Sequence, residues 1–324
     1  MAAMHGMSGV PRILVLIQLV LVLGTGTSCA STVGSPEESP SVAPVQVSIV
    51  CHNEEPKNAT MPAYSEDPAY FLRNREATIE FARMLHDENV MFNFQSDWDF
   101  VTGVLEYDQG SHSTGDKNVL CYLVQNLGFE VDPHAHEKRY TYADVAFLHA
   151  EAGVPVSHLA GGFVAYPPKD SKLEYFRDEL CGRQLDCTWS AEVLWGGSTS
   201  GHINEEDLWI SGIWKPKDNV HFLQHDDAAP LPHVGGYQSK WEGLANLLEH
   251  QRNGDLDATK IYTQTVFVRQ SDILRSEFRQ EFQTKLQSLR EQTAQGLIRW
   301  VGLKEVTNIW EVEYGSEPNM YAYN

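Results

Sequence analysis

Strand-like apolar segments alternate with segments of helical period through the first half of this 324-residue chain. The helical patterns lie within 68–88, near 118–127 and near 141–152, where apolar residues recur every three or four positions. This alternation favours a parallel β-sheet with crossover helices. The strand-like segments are VQVSIVCHNEE (45–55), VMFNFQSDW (90–98), FEVDPHAHE (129–137) and VSHLAGGF (156–163).

The second half gives a weaker pattern, because prolines interrupt a segment that is rich in tryptophan. The expected elements are strands near 188–195 and 207–214, a helix at 239–251, a strand at 261–270, one long helix at 273–293, and a last unit at 297–311. Seven or eight βα units would form a β/α-barrel, TIM-like or distorted, which suits one domain of this size.

The N-terminal residues follow another pattern. Arg12 precedes the apolar run ILVLIQLVLVLG and the small residues TGTSCAST, which predicts a secretory signal over residues 1–29. Cys29 stands where a bacterial lipoprotein would be acylated, with plain cleavage as the alternative, so the protein would be secreted or tethered to a membrane in the cell envelope. The Ser/Pro-rich residues 30–44 are expected to be a linker, and residues 45–324 the barrel domain.

The net charge limits the classes of molecule that the protein is expected to bind, and the cysteines are expected to fall into two groups. The chain has 24 basic and 44 acidic residues, a net charge of −20, which makes nucleic acid an unfavourable partner and disfavours polyanionic substrates. In an exported protein Cys181 and Cys187 could form a disulfide, whereas Cys51 and Cys121 lie in apolar segments and are expected to be buried thiols.

The parity of the strands separates one apolar face from one polar face. Because helices cover the outside of a β/α-barrel, the polar faces should point inward, with their last members at the C-terminal rim. The polar faces carry His52 and Glu54 on the first strand, Gln95 and Asp97 on the second, and Asp132, His134 and His136 on the third.

These positions predict a metal site. His134 and His136 would project to the same side at the end of a strand, and His52 and Glu54 have the same spacing on another. Two or three imidazoles with a carboxylate suit Zn²⁺ or a similar ion and leave a position open for water. A nearby carboxylate, Glu55, Asp132 or Glu137, could act as the base. The alternative is that the histidine pair forms only a polar loop. Gln95 and Asp97 are candidates for substrate binding, or inward polar residues that satisfy their neighbours.

Three motifs, VCHNEE (50–55), DPHAHE (132–137) and FLQHDD (222–227), resemble the metal-dependent polysaccharide deacetylases of the glycoside hydrolase/deacetylase barrel superfamily. The resemblance is that of a divergent member, since the family usually has paired aspartates on its first strand, and its NodB-like branch has a wider histidine spacing. The H-x-H spacing is closer to that of the YdjC-like deacetylases. It implies that the first-strand motif and the histidine pair hold a metal, and that the late motif supplies a general acid, here His225.

The sequence therefore predicts an exported hydrolase that deacetylates a carbohydrate with metal-activated water. Its metal, with zinc the expected ion, would be held by His52, Glu54, His134 and His136. Trp214 is the candidate for stacking on a sugar ring, although tryptophans are equally common in a core. Two other functions stay open: a non-catalytic lipoprotein that binds a glycan or a metal, and a metal-independent glycoside hydrolase with paired carboxylates.

Overall fold

A mostly parallel sheet of buried strands lies at the centre of the molecule. The computed structural model describes residues 42–54, 63–137, 139–162, 173–196, 209–237 and 240–323. These all belong to one compact unit, Pro40–Asn324. The predicted signal with Cys29, most of the predicted linker, and Glu55 lie outside the described residues.

The strands differ greatly in length, from nine residues to two. The two longest, of nine and eight residues, are rich in β-branched residues, which fit a buried pleated surface. The strands in chain order are β1 Val45–Asn53, β2 Phe92–Ser96, β3 Glu130–Pro133, β4 Leu159–Gly161, β5 Leu180–Cys181, β6 Thr188–Trp189, β7 Val193–Trp195, β8 Ile210–Ser211, β9 Ile213–Trp214, β10 His233–Val234, β11 Tyr262–Arg269, β12 Ile298–Trp300 and β13 Tyr321–Ala322.

Several helices begin at side-chain caps that the sequence supplies. Asp67, Asp97, Asn118 and Thr141 each accept a hydrogen bond from a backbone N–H three residues further on. The helices are α1 Pro68–Asp87, α2 Trp98–Tyr107, α3 Val119–Gln125, α4 Tyr142–Glu151, α5 Leu173–Arg177, α6 Lys240–Asn253, α7 Gln270–Ile273, α8 Ser276–Ser288, α9 Arg290–Ala294 and α10 Leu303–Glu313, with a 3₁₀ turn at His112–Thr114.

The strands form two principal sheets. The first has the order β11-β1-β2-β3, with β12 beside the start of β1, and all of its pairs are parallel. The second has the order β4-β7-β10-β9, in which only the β10–β9 pair is antiparallel. The protein is thus a mixed α/β structure with a mostly parallel central sheet, as the alternation of patterns predicted.

The two faces of the first sheet differ as strand parity predicted. Ile49, Phe92 and Phe94 are fully buried members of the larger hydrophobic core, on the apolar face that was expected to meet the helices. The opposite face carries buried polar groups, among them Gln95 and Asp132. Those polar groups are therefore sealed inside the protein and need internal partners or a ligand.

Some predicted elements were wrong in extent. The long helix expected at 273–293 is divided into α7, α8 and α9. The break between the first two falls at Arg275, whose extended backbone (φ −85°, ψ 122°) is incompatible with a continuous helix. Helix α2 was not predicted, although Asp97 at its N-cap and the acidic Asp99 in its first turn are start signals.

The four cysteines that the structure describes are free thiols. Cys51 and Cys121 are buried, as expected, while Cys181 is exposed and Cys187 half-buried. Cys181 pairs with Thr188 across the β5–β6 hairpin, so Cys187, one residue earlier, points to the opposite face. The disulfide considered for this pair is therefore not formed, because strand parity separates the two thiols.

No helix in the described part of the chain is long and apolar enough to cross a membrane.

Candidate metal centre

Strand β1 brings the first two candidate ligands to its C-terminal end. His52 lies on the strand and Glu54 directly after it, on the same face, and His52 Nδ1 is 3.4 Å from Glu54 Oε1. The imidazole is buried, with its ring edge against Trp195 and Phe267. The Glu54 side chain keeps 19% of its surface exposed. The pair therefore lies where the polar interior meets solvent.

Strand β3 contributes the third ligand from the other side of β2. Its backbone is fixed by a 2.9 Å hydrogen bond from the His134 N–H to the Ser96 carbonyl. The centroids of the His134 and His52 rings are 4.1 Å apart, and His134 Nε2 is 3.9 Å from Glu54 Oε1. The ends of two strands that are not neighbours in the sheet thus converge above β2.

Together these residues form a group that could hold a metal ion. One ligand atom from each of His52, Glu54 and His134 lies within 4.8 Å of the other two. The buried N/O donor set suits zinc or another borderline divalent ion. His136 lies beside this group, with its Nε2 3.1 Å from His134 Nε2. The structure thus brings three of the four predicted ligands, from the first and third strands, into one group that could hold a metal ion. Metal binding by these residues and by His136 stays a prediction.

The His134 ring is oriented by a backbone carbonyl. Its Nδ1 lies 3.2 Å from the Gly161 oxygen and must be the donor, since a carbonyl can only accept. In a neutral ring Nε2 then carries the lone pair and is the atom directed toward Glu54. Burial, and next the neighbouring His52 and His136, hold the pKa of His134 well below its usual value, so the ring stays neutral. Tyr142 donates to the same carbonyl at 2.6 Å.

Gly162 closes the other side of the group. Its φ of +82° favours glycine, and a Cβ at this position would collide with the His52 ring and crowd that of His134. Among the residues that the structure describes, none forms a hydrogen bond with the buried His52 Nε2. A bound ion would satisfy such a buried ring nitrogen.

Asp132 lies one layer deeper on the same face of β3. Its carboxylate accepts hydrogen bonds from Ser157 Oγ at 2.6 Å and from Asn93 Nδ2 at 3.1 Å. Burial, and next the charge of Glu130, raise its pKa to about 7. Both of its oxygens are thus engaged by the protein, and its role as a base stays a prediction.

The second strand places its two candidates differently. Gln95 is in register with both His52 and Asp132 and is fully buried, and a side chain at Gly161 would collide with its amide. Its amide therefore packs closely against the Gly161 backbone. Asp97 caps α2 by accepting from the Phe100 N–H at 3.1 Å. The structure gives Asp97 a role in the fold, and substrate binding by either residue stays a prediction.

The candidates from the tryptophan-rich segment are not part of this group. Trp214 is 2% exposed, and its indole N–H donates to the Phe222 carbonyl at 2.7 Å. His225 accepts from the Lys215 N–H through Nδ1 and pairs with Asp227 through Nε2. Neither belongs to the His52–Glu54–His134 group. The proposals of sugar stacking and general-acid catalysis for these two residues stay predictions.

Sequence reasoning did not single out Gly161, Gly162 or Tyr142. The only local signal was a Gly-Gly pair at the end of a predicted strand, which is typical of close backbone approach. Glu137, named as a possible base, instead accepts hydrogen bonds from the Tyr142 N–H at 2.9 Å and from the Tyr175 hydroxyl at 2.5 Å. Comparisons of the chain with protein-family models, with curated proteins and with solved structures found no match.

Proposed function

We propose that this protein is an exported, metal-dependent hydrolase that removes acyl groups from a carbohydrate, in the manner of polysaccharide deacetylases. The observation that carries the proposal is the buried group of His52, Glu54 and His134, whose ligand atoms lie within 4.8 Å of one another. Two imidazoles and one carboxylate are also the protein ligands of many catalytic zinc sites, where one position stays open.

The residues present fit such an ion. His134 has its Nδ1 committed to the Gly161 carbonyl, and His52 has a buried nitrogen with no hydrogen-bond partner among the described residues. A bound divalent ion would polarise an acyl carbonyl and bring the pKa of a coordinated water toward neutrality. The low pKa of His134 keeps the ring available as a ligand at neutral pH.

The remaining roles fall to neighbouring residues. His136, whose Nε2 is 3.1 Å from His134 Nε2, is the proposed fourth ligand or proton carrier. Asp132 is fully engaged by Ser157 and Asn93, so its proposed effect as a base is weaker than that of Glu55, which follows Glu54 directly in the chain. His225 remains a candidate acid only if substrate binding brings it to the group.

The proposed architecture is a closed barrel of seven parallel strands: β1, β2, β3, β4, β7, β10 and β11. Two observations support closure. Strands β3 and β4 contact each other at one junction of the two sheets. At the other junction the Thr265 N–H donates to the Gly236 carbonyl at 2.9 Å. A barrel would gather the C-terminal ends of its strands at one rim, where such folds carry their chemistry.

The proposal is tested first by metal content. Elemental mass spectrometry on the full chain, reconstituted with zinc, nickel or manganese, should find about one ion per chain. The double variant His134→Ala/His136→Ala should lose it while its circular dichroism is unchanged, and His225→Ala is the matched histidine control that should keep it. Absence of metal from the wild-type chain after reconstitution would refute the proposal.

Turnover separates an enzyme from a binding protein. The metal-loaded chain should release acetate from acetylated oligosaccharides, and a chelator should abolish the release. Stoichiometric metal without any turnover would favour a non-catalytic glycan- or metal-binding protein. Glycoside cleavage that survives the chelator would favour a metal-independent glycosidase instead.

A further inference from the structure

One exposed arginine is aligned with the metal-binding group. Arg269 is the last residue of β11 and is the register partner of His52 on the adjacent parallel strand. Neighbouring strands lie about 4.8 Å apart, and register partners in a parallel pair point to the same face. Phe267, two residues earlier, has its ring centroid 4.8 Å from that of His52, so this face of β11 is the one that faces the group.

The backbone beside Arg269 is held in place. The next residue, Gln270, is 4% exposed, and its amide nitrogen donates to Thr78 Oγ1 at 3.0 Å. The Cys51 thiol contacts the amide oxygen of Gln270 at 3.8 Å. Because Gln270 is fixed on the helix side of the sheet, Arg269 is directed to the opposite side, at the end of the strand.

The guanidinium itself has no ion pair and no side-chain hydrogen bond with any part of the chain that the structure describes, and the residue is exposed. Other arginines nearby are paired: Arg275 with Asp272 at 2.9 Å, and Arg279 with Glu80 at 2.6 Å. In a chain of net charge −20, this cation lies beside the metal-binding group and takes no acidic partner among the residues that the structure describes. It is available to a ligand.

We infer that Arg269 recognises a carboxylate on the substrate, so that the preferred substrate is an acylated sugar with a uronic acid at the site. This inference rests on the proposed function and adds the substrate class. The planar guanidinium forms bidentate hydrogen bonds with a carboxylate, which fixes orientation as well as charge. The strongly acidic chain repels long polyanions, which favours a substrate with one or few charges.

The test is binding of matched sugar probes to the full chain, measured by titration calorimetry with zinc and again after chelator treatment. The probes are p-nitrophenyl β-glucuronide, p-nitrophenyl β-glucoside and the 6-sulfated glucoside. The glucuronide should bind about tenfold tighter than the glucoside. Arg269→Gln should abolish that difference, Arg269→Lys should keep part of it, and the control Arg275→Gln should keep all of it.

Equal affinity for glucuronide and glucoside, no measurable binding of the glucuronide, or an unchanged preference in Arg269→Gln would overturn the inference. Tighter binding of the sulfated probe than of the glucuronide would overturn the carboxylate assignment. The two proposals can fail separately. An Arg269-dependent preference in a chain that takes up no metal refutes only the hydrolase, and metal-dependent deacetylation without the preference refutes only the role of Arg269.

Discussion

The sheet β11-β1-β2-β3 and the described residues of the segment 173–237, which are 173–196 and 209–237, are held together by different means. In the sheet, strands of up to nine residues are hydrogen-bonded along their lengths and packed on a continuous apolar face. In the segment, strands of two or three residues are tied down by side chains that bond to the backbone. The Asp144 carboxylate, for example, accepts from the N–H groups of Arg183, Gln184 and Leu185.

This difference explains why the sequence predicted the placement of some candidate residues and not of others. Residues on the strands of the sheet, or directly after them, inherit their direction from parity, so His52 and His134 could be assigned to one face and were found together. Trp214 and His225 lie in a segment whose conformation depends on individual hydrogen bonds between residues distant in sequence. No periodicity in the sequence reports such bonds, and their placement could not be inferred.

The largest effect should come from the core of the sheet. Phe94 is fully buried, with its ring centroid 5.5 Å from that of Phe100. Phe94→Ala should lower the free energy of unfolding by about 3–5 kcal/mol, because it leaves a cavity that the sheet cannot close. Urea denaturation measures this, with Leu105→Ala on the solvent-facing side of α2 as the control, since Leu105 is 41% exposed. A loss below about 1 kcal/mol would show that the sheet is not the rigid part.

Acid should test whether the two regions unfold together. His149 on α4 and His233 in the segment are both buried, and burial lowers the pKa of each from 6.5 to about 3. Above pH 6.5 neither histidine makes the free energy of unfolding depend on pH. Below it the unfolded chain takes up a proton that the folded chain refuses, so each histidine should cost about 1.4 kcal/mol of stability per pH unit, or about 2 kcal/mol at pH 5.

The variants His149→Leu and His233→Leu should each flatten the pH dependence of the free energy of unfolding, measured by urea titration between pH 7 and pH 5. Equal effects would mean that sheet and segment unfold as one unit. If only His149→Leu had an effect, the segment would open locally, and His233 would take up its proton without global unfolding. No change in either variant would contradict the burial of these rings.

A smaller effect is expected at Trp214. Trp214→Phe keeps most of the aromatic packing against His233, whose ring centroid is 4.5 Å away, and removes the hydrogen bond to the Phe222 carbonyl. The expected cost is about 1 kcal/mol in thermal or urea unfolding. Binding of p-nitrophenyl sugars should not change if Trp214 is a core residue. A clear loss of sugar binding at unchanged stability would restore Trp214 as a stacking platform.

The smallest effect should come from His225→Ala. Its partner Asp227 is 98% exposed, so the ion pair stabilises the protein little, and the main loss is the hydrogen bond from the Lys215 N–H. The free energy of unfolding should fall by about 0.5–1 kcal/mol, and metal content should stay at the wild-type level. A loss of deacetylation with metal and stability intact would instead support the catalytic role proposed for this histidine.

Much of the fold could be predicted from hydrophobic period alone. Helix α1 and strands β1 and β2 fall within the segments expected for them, because each has a long run with one period and a clear start signal. The breaks around α8 could not be predicted, since neither Arg275 nor Leu289 is a residue type that interrupts helices.

The sequence by itself determined which side chains share a face, because alternation along a strand is a property of the backbone that no neighbour can change. It placed His52 and Glu54 together, and His134 with Asp132. Only the tertiary structure decided that the ends of β1 and β3 converge above β2, and that the Gly161 carbonyl, 27 residues from His134, orients that ring. Such contacts depend on how the twisted sheet packs, and twist and packing are set by the whole chain rather than by any local segment.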